Sequence, residues 1–404
     1  MTRFAFLSLL LLFLLACEDD DDPIQPSLTI PDTYTFVRDG ASTVSFSGQT
    51  TRLAMAGELV DALTDPSTPE ATLEAMFRNA GPTGEDVAPF SSAELNASTK
   101  SVRNKVAASR DYFFTNATGA AAIREDFDGW IAAQVDEVFP AWNELAAENR
   151  PGQLADGNRT RYVNGRGLEY DQIFAKSLIG ALMVDQALNN YLSPAVLDEA
   201  GNRADNDAGR TVDGEAYTTM EHKWDEAYGY VFGGAPDSGD PLATLGQDDD
   251  FLNKYLGRVE DDPDYGGIAD DIFTAFITGR AAIVAGDYAE RDRQAARIQE
   301  LVSQIIGVRS VYYLAQGASA LENNPGPGPA FHDLSEAYGF LYSMQFTRDP
   351  LTGMPYVDRD ETLSLLSRMN PGTGGLWDVS PDELRTLART IADRFNLDYD
   401  AAAE

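Results

Sequence analysis

The sequence predicts an all-α protein, a duplicated helical bundle preceded by a short N-terminal β-hairpin. Three observations carry that expectation. The only two histidines of the 404-residue chain open the same motif: His222-Lys-Trp-Asp-Glu226-Ala-Tyr228-Gly229-Tyr and His332-Asp-Leu-Ser-Glu336-Ala-Tyr338-Gly339-Phe. Both read H-x-x-x-E-A-Y-G-aromatic, the mark of an internal duplication. Most of the chain shows apolar spacing near 3.6 residues. Only the stretch around Tyr34-Thr-Phe-Val37 and Thr43-Val-Ser-Phe46 alternates, across Arg38-Asp39-Gly40-Ala41-Ser42, as a hairpin does.

The elements follow in order. Thr2 and Arg3 precede an apolar run, Phe4 to Ala16, too short to span a bilayer but suited to a signal peptide over residues 1–16. Leu14-Leu15-Ala16-Cys17 resembles a lipobox, so the lone Cys17 reads as a lipidated N-terminus anchoring the chain to a membrane. Residues 17–30 form a tether that includes Glu18-Asp19-Asp20-Asp21-Asp22. A similar acidic run accompanies surface export of bacterial lipoproteins, so the expected location is the outer membrane and its cell surface, with a periplasm-facing anchor as the alternative. Residues 31–99 hold the hairpin, a helix over 52–63 stopped by Pro66 and Pro69, and a helix to about Asn79 with Thr68 as cap and Pro69 first.

Helices are expected over 100–117, 119–145, 169–192, 215–232, 268–285, 287–321, 330–346, 359–368 and 381–395, the last with Ser380 and Glu383 as a capping box. The loops are 146–167, 193–214, 233–250, 257–267, 322–329 and 369–379. This divides the chain into a first helical repeat at 100–235, linker loops at 236–267, a second repeat at 268–346 and C-terminal helices at 347–404. Two further matches extend the repeat: Lys176–Gly180 with Ser303–Gly307, and Thr118–Ile123 with Thr278–Ile283.

Composition narrows the function. The net charge is −35, with 65 Asp and Glu against 30 Lys and Arg. Such a surface repels nucleic acid and attracts cations. No nucleophile elbow, phosphate-binding loop, H-E-x-x-H motif or dinucleotide fingerprint occurs, so no catalytic residues are assigned. In each motif His and Glu stand four apart on one helix face. His222, Glu226, His332 and Glu336 could therefore converge between repeats on a divalent iron, zinc or copper ion. The alternative is that each His–Glu pair is a hydrogen-bonded pair within a helix interface. Tyr228 and Tyr338 would then fill space beside the site, and Gly229 and Gly339 would permit a close helix crossing. Glu221 and Asp225 read as surface charges. The acidic loops around Asp205, Asp249 and Asp262 read as solvated, since none has EF-hand spacing.

Tyr34-Thr-Phe, Ser42-Thr-Val-Ser-Phe-Ser-Gly-Gln-Thr-Thr-Arg-Leu53 and the Glu-Ala-Tyr-Gly repeats together resemble the domain-of-unknown-function family numbered 4856, over nearly the whole chain after the tether. A more distant resemblance is to imelysin-like proteins, lipidated or secreted duplicated bundles linked to iron uptake. Their hallmark, G-x-H-x-x-E, is altered here. Met220 and Ala330 replace the Gly, and Asp225 and Ser335 stand at the Glu position. That resemblance implies a non-catalytic binding protein in iron or other metal acquisition, partnered by an outer-membrane receptor or transporter. A carbohydrate- or protein-binding component of an outer-membrane uptake complex is the other reading. It would use an aromatic platform including Trp377 or Trp142, with structural histidines.

Overall fold

The computed structural model describes residues 28–404. The expected signal peptide, Cys17 and the acidic run lie outside the described residues. Among these residues the chain forms sixteen α-helices and two antiparallel two-stranded hairpins, a mostly α fold. No described helix is long and apolar enough to cross a membrane.

In the first hairpin β1 (Val37–Arg38) pairs with β2 (Ala41–Ser42). Asp39 and Gly40 both take positive φ, 52° and 85°, the geometry that suits a two-residue turn to strand twist. The helix that follows, Ser47–Ala62, begins five residues earlier than its apolar spacing indicated. The next, Glu70–Arg78, is capped by extended Pro69 and not by Thr68.

Residues 100–117 and 146–167 differ in kind from the expectation, and the expected loop 193–214 holds two short helices, Pro194–Leu197 and Asn202–Asp207. Residues 100–117 do not form one helix. They hold a 3-10 turn, Arg103–Lys105, and a single helical turn, Arg110–Phe113. The break has a physical cause: Ala107 sits at φ 47°, and the amides of Ala108 and Ser109 donate to Asp185 Oδ2, both at 3.0 Å. The 146–167 loop contains a second hairpin, β3 (Gly152–Asp156) with β4 (Arg159–Val163), turned at Gly157. The helix after it, Tyr170–Leu178, continues through two π-helical segments, Ile179–Val184 and Ala187–Tyr191.

The first motif lies on Thr219–Phe232, opened by a Thr218/Glu221 capping box, and the second on Gly328–Ser343. The 36-residue helix Tyr288–Asn323 runs through the core and packs against Ile268–Ala285, Gly328–Ser343 and Pro381–Phe395. Ser380 caps Pro381–Phe395 by accepting from Glu383 N. The Glu383 carboxylate turns away to Arg368 at 2.7 Å, so the box is half made.

The two weaker repeat matches play unlike roles. Gly180 lies against Ser343 while Gly307 lies against Phe395; Gly119 sits at its helix cap while Gly279 lies under Trp224. The histidine motif alone is repeated in its packing.

Candidate functional site

Each motif helix crosses a helix that follows a hairpin. A Cβ on Gly229 would stand 2.6 Å from Phe46 Cβ and 3.0 Å from Gln49 Cβ, on Ser47–Ala62 and its cap. A Cβ on Gly339 would collide with Lys176 Cβ and stand 2.9 Å from Ser177 N and 3.1 Å from Ile173 O, on Tyr170–Leu178. Phe46 and Gln49 are three residues apart, as are Ile173 and Lys176, so each glycine faces two positions about one turn apart on its neighbour. A third helix closes each unit. Trp224 covers Gly279 of Ile268–Ala285, and Leu334 covers Gly317 of Tyr288–Asn323. The duplication is therefore a three-helix contact built twice.

Gly339→Ala is expected to destabilise the protein by about 1–3 kcal/mol, because backbone and a helix-core Cβ cannot yield. Gly326→Ala, in open space, is the control in the same urea denaturation series.

The polar contacts repeat as well. Ser45 N donates to Asp225 Oδ2 (3.2 Å), and Glu169 N donates to Ser335 Oγ (2.9 Å). His222 Nδ1 lies 2.9 Å from Ser45 O, and His332 Nδ1 3.2 Å from Glu169 Oε1. Gln49 Nε2 donates to Glu226 (3.1 Å), while Lys176 Nζ reaches Glu336 at 3.2 Å. Lys223 also holds Glu226 at 2.7 Å, and Tyr255 OH donates to Glu336 at 3.0 Å.

The environments split the two histidines. Burial pulls the His222 imidazole below its usual value, against the charge of Glu226. Burial acts the same way on His332, but the hydrogen bond and charge of Glu169 outweigh it and raise the pKa. Burial opposes ionisation of Glu336 too, yet the charges of Lys176 and His332 and the tyrosine hydrogen bonds hold it down at about 2.

The structure keeps the two His–Glu pairs apart, each among its own neighbours. Within the first pair His222 Nε2 is 3.9 Å from Glu226 Oε2, with Tyr217 stacked on the ring at 4.6 Å. Among the described residues no three His, Cys, Asp or Glu side chains are grouped so as to hold a metal ion. The first motif thus offers a two-donor pair, and in the second His332 pairs with Glu169. Glu221 and Asp225 are not surface charges. Both are fully buried against Arg280, which bonds Asp225 Oδ1 through Nε (3.0 Å) and Glu221 Oε1 through Nη1 (3.1 Å).

The motif tyrosines are where the copies part. Tyr228 is fully buried, its ring stacked on Tyr34 at 3.7 Å and 3°, its hydroxyl donating to Ser238 O at 2.5 Å. The first hairpin segment covers it. Tyr338 is half-buried and lines an open cavity of about 450 Å³. Trp130 meets it edge-on at 6.4 Å, and Tyr170, Asn164, Arg166 and Asn370 complete the polar wall. Arg166 Nη2 donates to Asn370 O (2.5 Å) and Oδ1 (3.1 Å), and Asn164 Nδ2 donates to Tyr170 OH (2.9 Å). A cleft of about 760 Å³ flanks the first copy, lined by Ser45, Phe46, Thr50, Glu94 and Asp237 among others.

Sequence reasoning did not single out Trp130; the signal was its place in the apolar spacing of 119–145. The two tryptophans it named lie elsewhere. Trp142 stacks on Tyr162 of β4 at 3.5 Å, and Trp377 packs edge-on to Phe331 at 4.8 Å.

The model of one family, described as a domain of unknown function (DUF4856), matches residues 31–398. The chain belongs to this family. The match spans both hairpins and both motif units, so the repeated crossing lies wholly inside the DUF4856 region. No curated protein and no solved structure matches the chain. The resemblance to imelysin-like proteins rests on the motif spacing alone.

Proposed function

We propose that this DUF4856 protein is a lipid-anchored, non-catalytic binding protein of the cell envelope, and that its ligand is a carbohydrate seated over Tyr338. The observation that supports this reading is the asymmetry of the two copies. The same motif tyrosine is roofed by Tyr34 in one unit and left open beside Trp130 in the other. A sugar ring presents an apolar face to aromatic rings and hydroxyls to amide and guanidinium groups, which is the composition of this cavity. A panel of neutral mono- and oligosaccharides titrated into the protein is expected to shift its tryptophan fluorescence. A panel with no effect in calorimetry and fluorescence alike sinks the proposal.

Metal acquisition is the second reading, supported by the paired donors of His222 and Glu226. It predicts stoichiometric iron, zinc or copper in purified protein, lost in the His222→Ala/His332→Ala variant. Metal-free protein with no thermal shift on adding those ions removes it.

A further inference from the structure

A third cavity, of about 470 Å³, lies where the 100–117 segment breaks, and its wall is basic in a chain of net charge −35. Arg110, Arg124 and Lys223 line it, with Glu199 the one carboxylate in the wall. Arg124 is held by main-chain oxygens, Nε to Val106 O at 2.9 Å and Nη2 to Ala107 O at 3.4 Å. Arg110 lies over the Phe114 ring at 3.8 Å. Among the described residues neither guanidinium is within salt-bridge distance of a carboxylate, whereas Lys223 pairs with Glu226 at 2.7 Å. In an acidic protein, two arginines that face a cavity and bond main-chain oxygens and an aromatic ring, and no described carboxylate, mark the cavity as a place for an anion.

The main chain along one wall of this cavity is pinned by side-chain acceptors. Asp185, fully buried between the two π-helical segments, takes the amides of Ala108 and Ser109. Asn190, inside the second segment, takes the amide of Arg110 at 3.1 Å. Ala107 is held in the left-handed region at φ 47°, a conformation that costs a non-glycine residue about 1 kcal/mol. π-helical insertions and left-handed non-glycine residues concentrate at functional sites. The Ala117–Ala133 helix also turns its N-terminal residues Ala117 and Ala120 to the cavity, adding the positive end of its dipole. Phe113, Phe114 and Val196 supply an apolar side.

We propose that this cavity binds a small organic anion, its carboxylate or phosphate head held by Arg110 and Arg124 and its apolar part against Phe113 and Phe114. A guanidinium presents a planar fork of donors that matches the two oxygens of either head group. The site is independent of the saccharide reading, which involves other residues.

The test is calorimetric titration of the protein with benzoate, phenyl phosphate and neutral benzyl alcohol. At least one of the two anions is expected to bind and benzyl alcohol not to; which anion binds more tightly identifies the head group. Arg110→Gln, at a half-exposed side chain with no ion pair among the described residues, is expected to weaken that binding about tenfold, the loss of one charge-assisted contact. Lys223→Gln is the second variant, with a smaller loss because Glu226 already neutralises the ammonium. The proposal is overturned if neither anion binds, if benzyl alcohol binds as well as they do, or if Arg110→Gln binds the anion as tightly as the parent protein.

Discussion

Lowering the pH from about 8 to about 5 is expected to raise the melting temperature of this protein by several degrees, the reverse of ordinary acid destabilisation. The sign follows from its buried carboxyl groups. Burial pushes Asp171 and Asp185 up to about 6, and the half-buried Asp333 to about 6 as well; Asp249, in a loop that the sequence reads as solvated, is half-buried and pushed to about 7. A group whose folded pKa is raised binds its proton more tightly folded than unfolded. Its stabilisation is present below the unfolded value of 3.8 and is lost as pH rises through the folded value. His332, raised above 6.5 with Glu169 beside it, has the same sign.

His222 opposes, because its folded pKa is lowered and it loses stability as pH falls through 6.5. Approaching the sequence pI of 4.2 also relieves the self-repulsion of a chain at −35. Below about pH 4.5 the trend turns over. Glu336, held at about 2 against a usual 4.5, stays paired with Lys176 in the folded protein, but its stabilisation begins to fade as the unfolded chain takes up the proton, and is lost as pH falls through the folded value. Scanning calorimetry across this range checks the maximum near pH 5, and Asp249→Asn should flatten the slope above it. A melting temperature that falls steadily from pH 8 to pH 5 contradicts the account.

Replacing Arg280 by alanine is expected to cost about 3–5 kcal/mol, the usual loss when one partner of a buried ion pair is removed. Arg280 is fully buried and serves three partners: Asp225, Glu221 and Thr43, whose Oγ1 accepts from Nη2 at 2.9 Å. Tyr34 OH donates to Asp225 Oδ1 at 2.7 Å, and Arg38 makes two 2.8 Å bonds to Glu221. The network therefore ties the first hairpin to two core helices. Arg280→Ala leaves Asp225 buried with no cation, so the hairpin should also loosen and expose the 34–46 segment to protease. Arg38→Ala removes a part-exposed partner and should cost about 1 kcal/mol. Urea denaturation compares the two. Equal losses for Arg280→Ala and Arg38→Ala would contradict the placement of the charge in the core.

The residues that made the fold legible were those whose role is local. The Asp39-Gly40 turn, the spacing of Ile268–Ala285 and the Ser380 cap obey rules written within a few neighbouring positions. The duplicated glycines announced close crossings for the same reason: only a missing Cβ explains Ala-Tyr-Gly twice. What stayed hidden was set by distant partners. Residues 100–117 have helical spacing, but Asp185 and Asn190, some eighty positions away, claim their amides. Asp225 and Glu221 look like any surface acids until Arg280 is placed between them. The turn at Gly157-Asn158 is a hairpin signal, but it lies among polar residues without clear alternation. For the candidate site, the sequence pointed to Tyr338 as a packing neighbour of His332 and Glu336. That Tyr228 is covered and Tyr338 is not depends on where Tyr34 and Trp130 land, which no local pattern encodes.

The most direct measurement is a calorimetric titration of neutral saccharides into the parent protein, Trp130→Ala and His222→Ala/His332→Ala side by side. The account predicts binding in the parent protein, loss of about tenfold or more in Trp130→Ala, and retention in the double histidine variant once its folding is confirmed. Binding that survives Trp130→Ala but disappears with the histidines would contradict it, and would return the histidine pairs to the centre of the function.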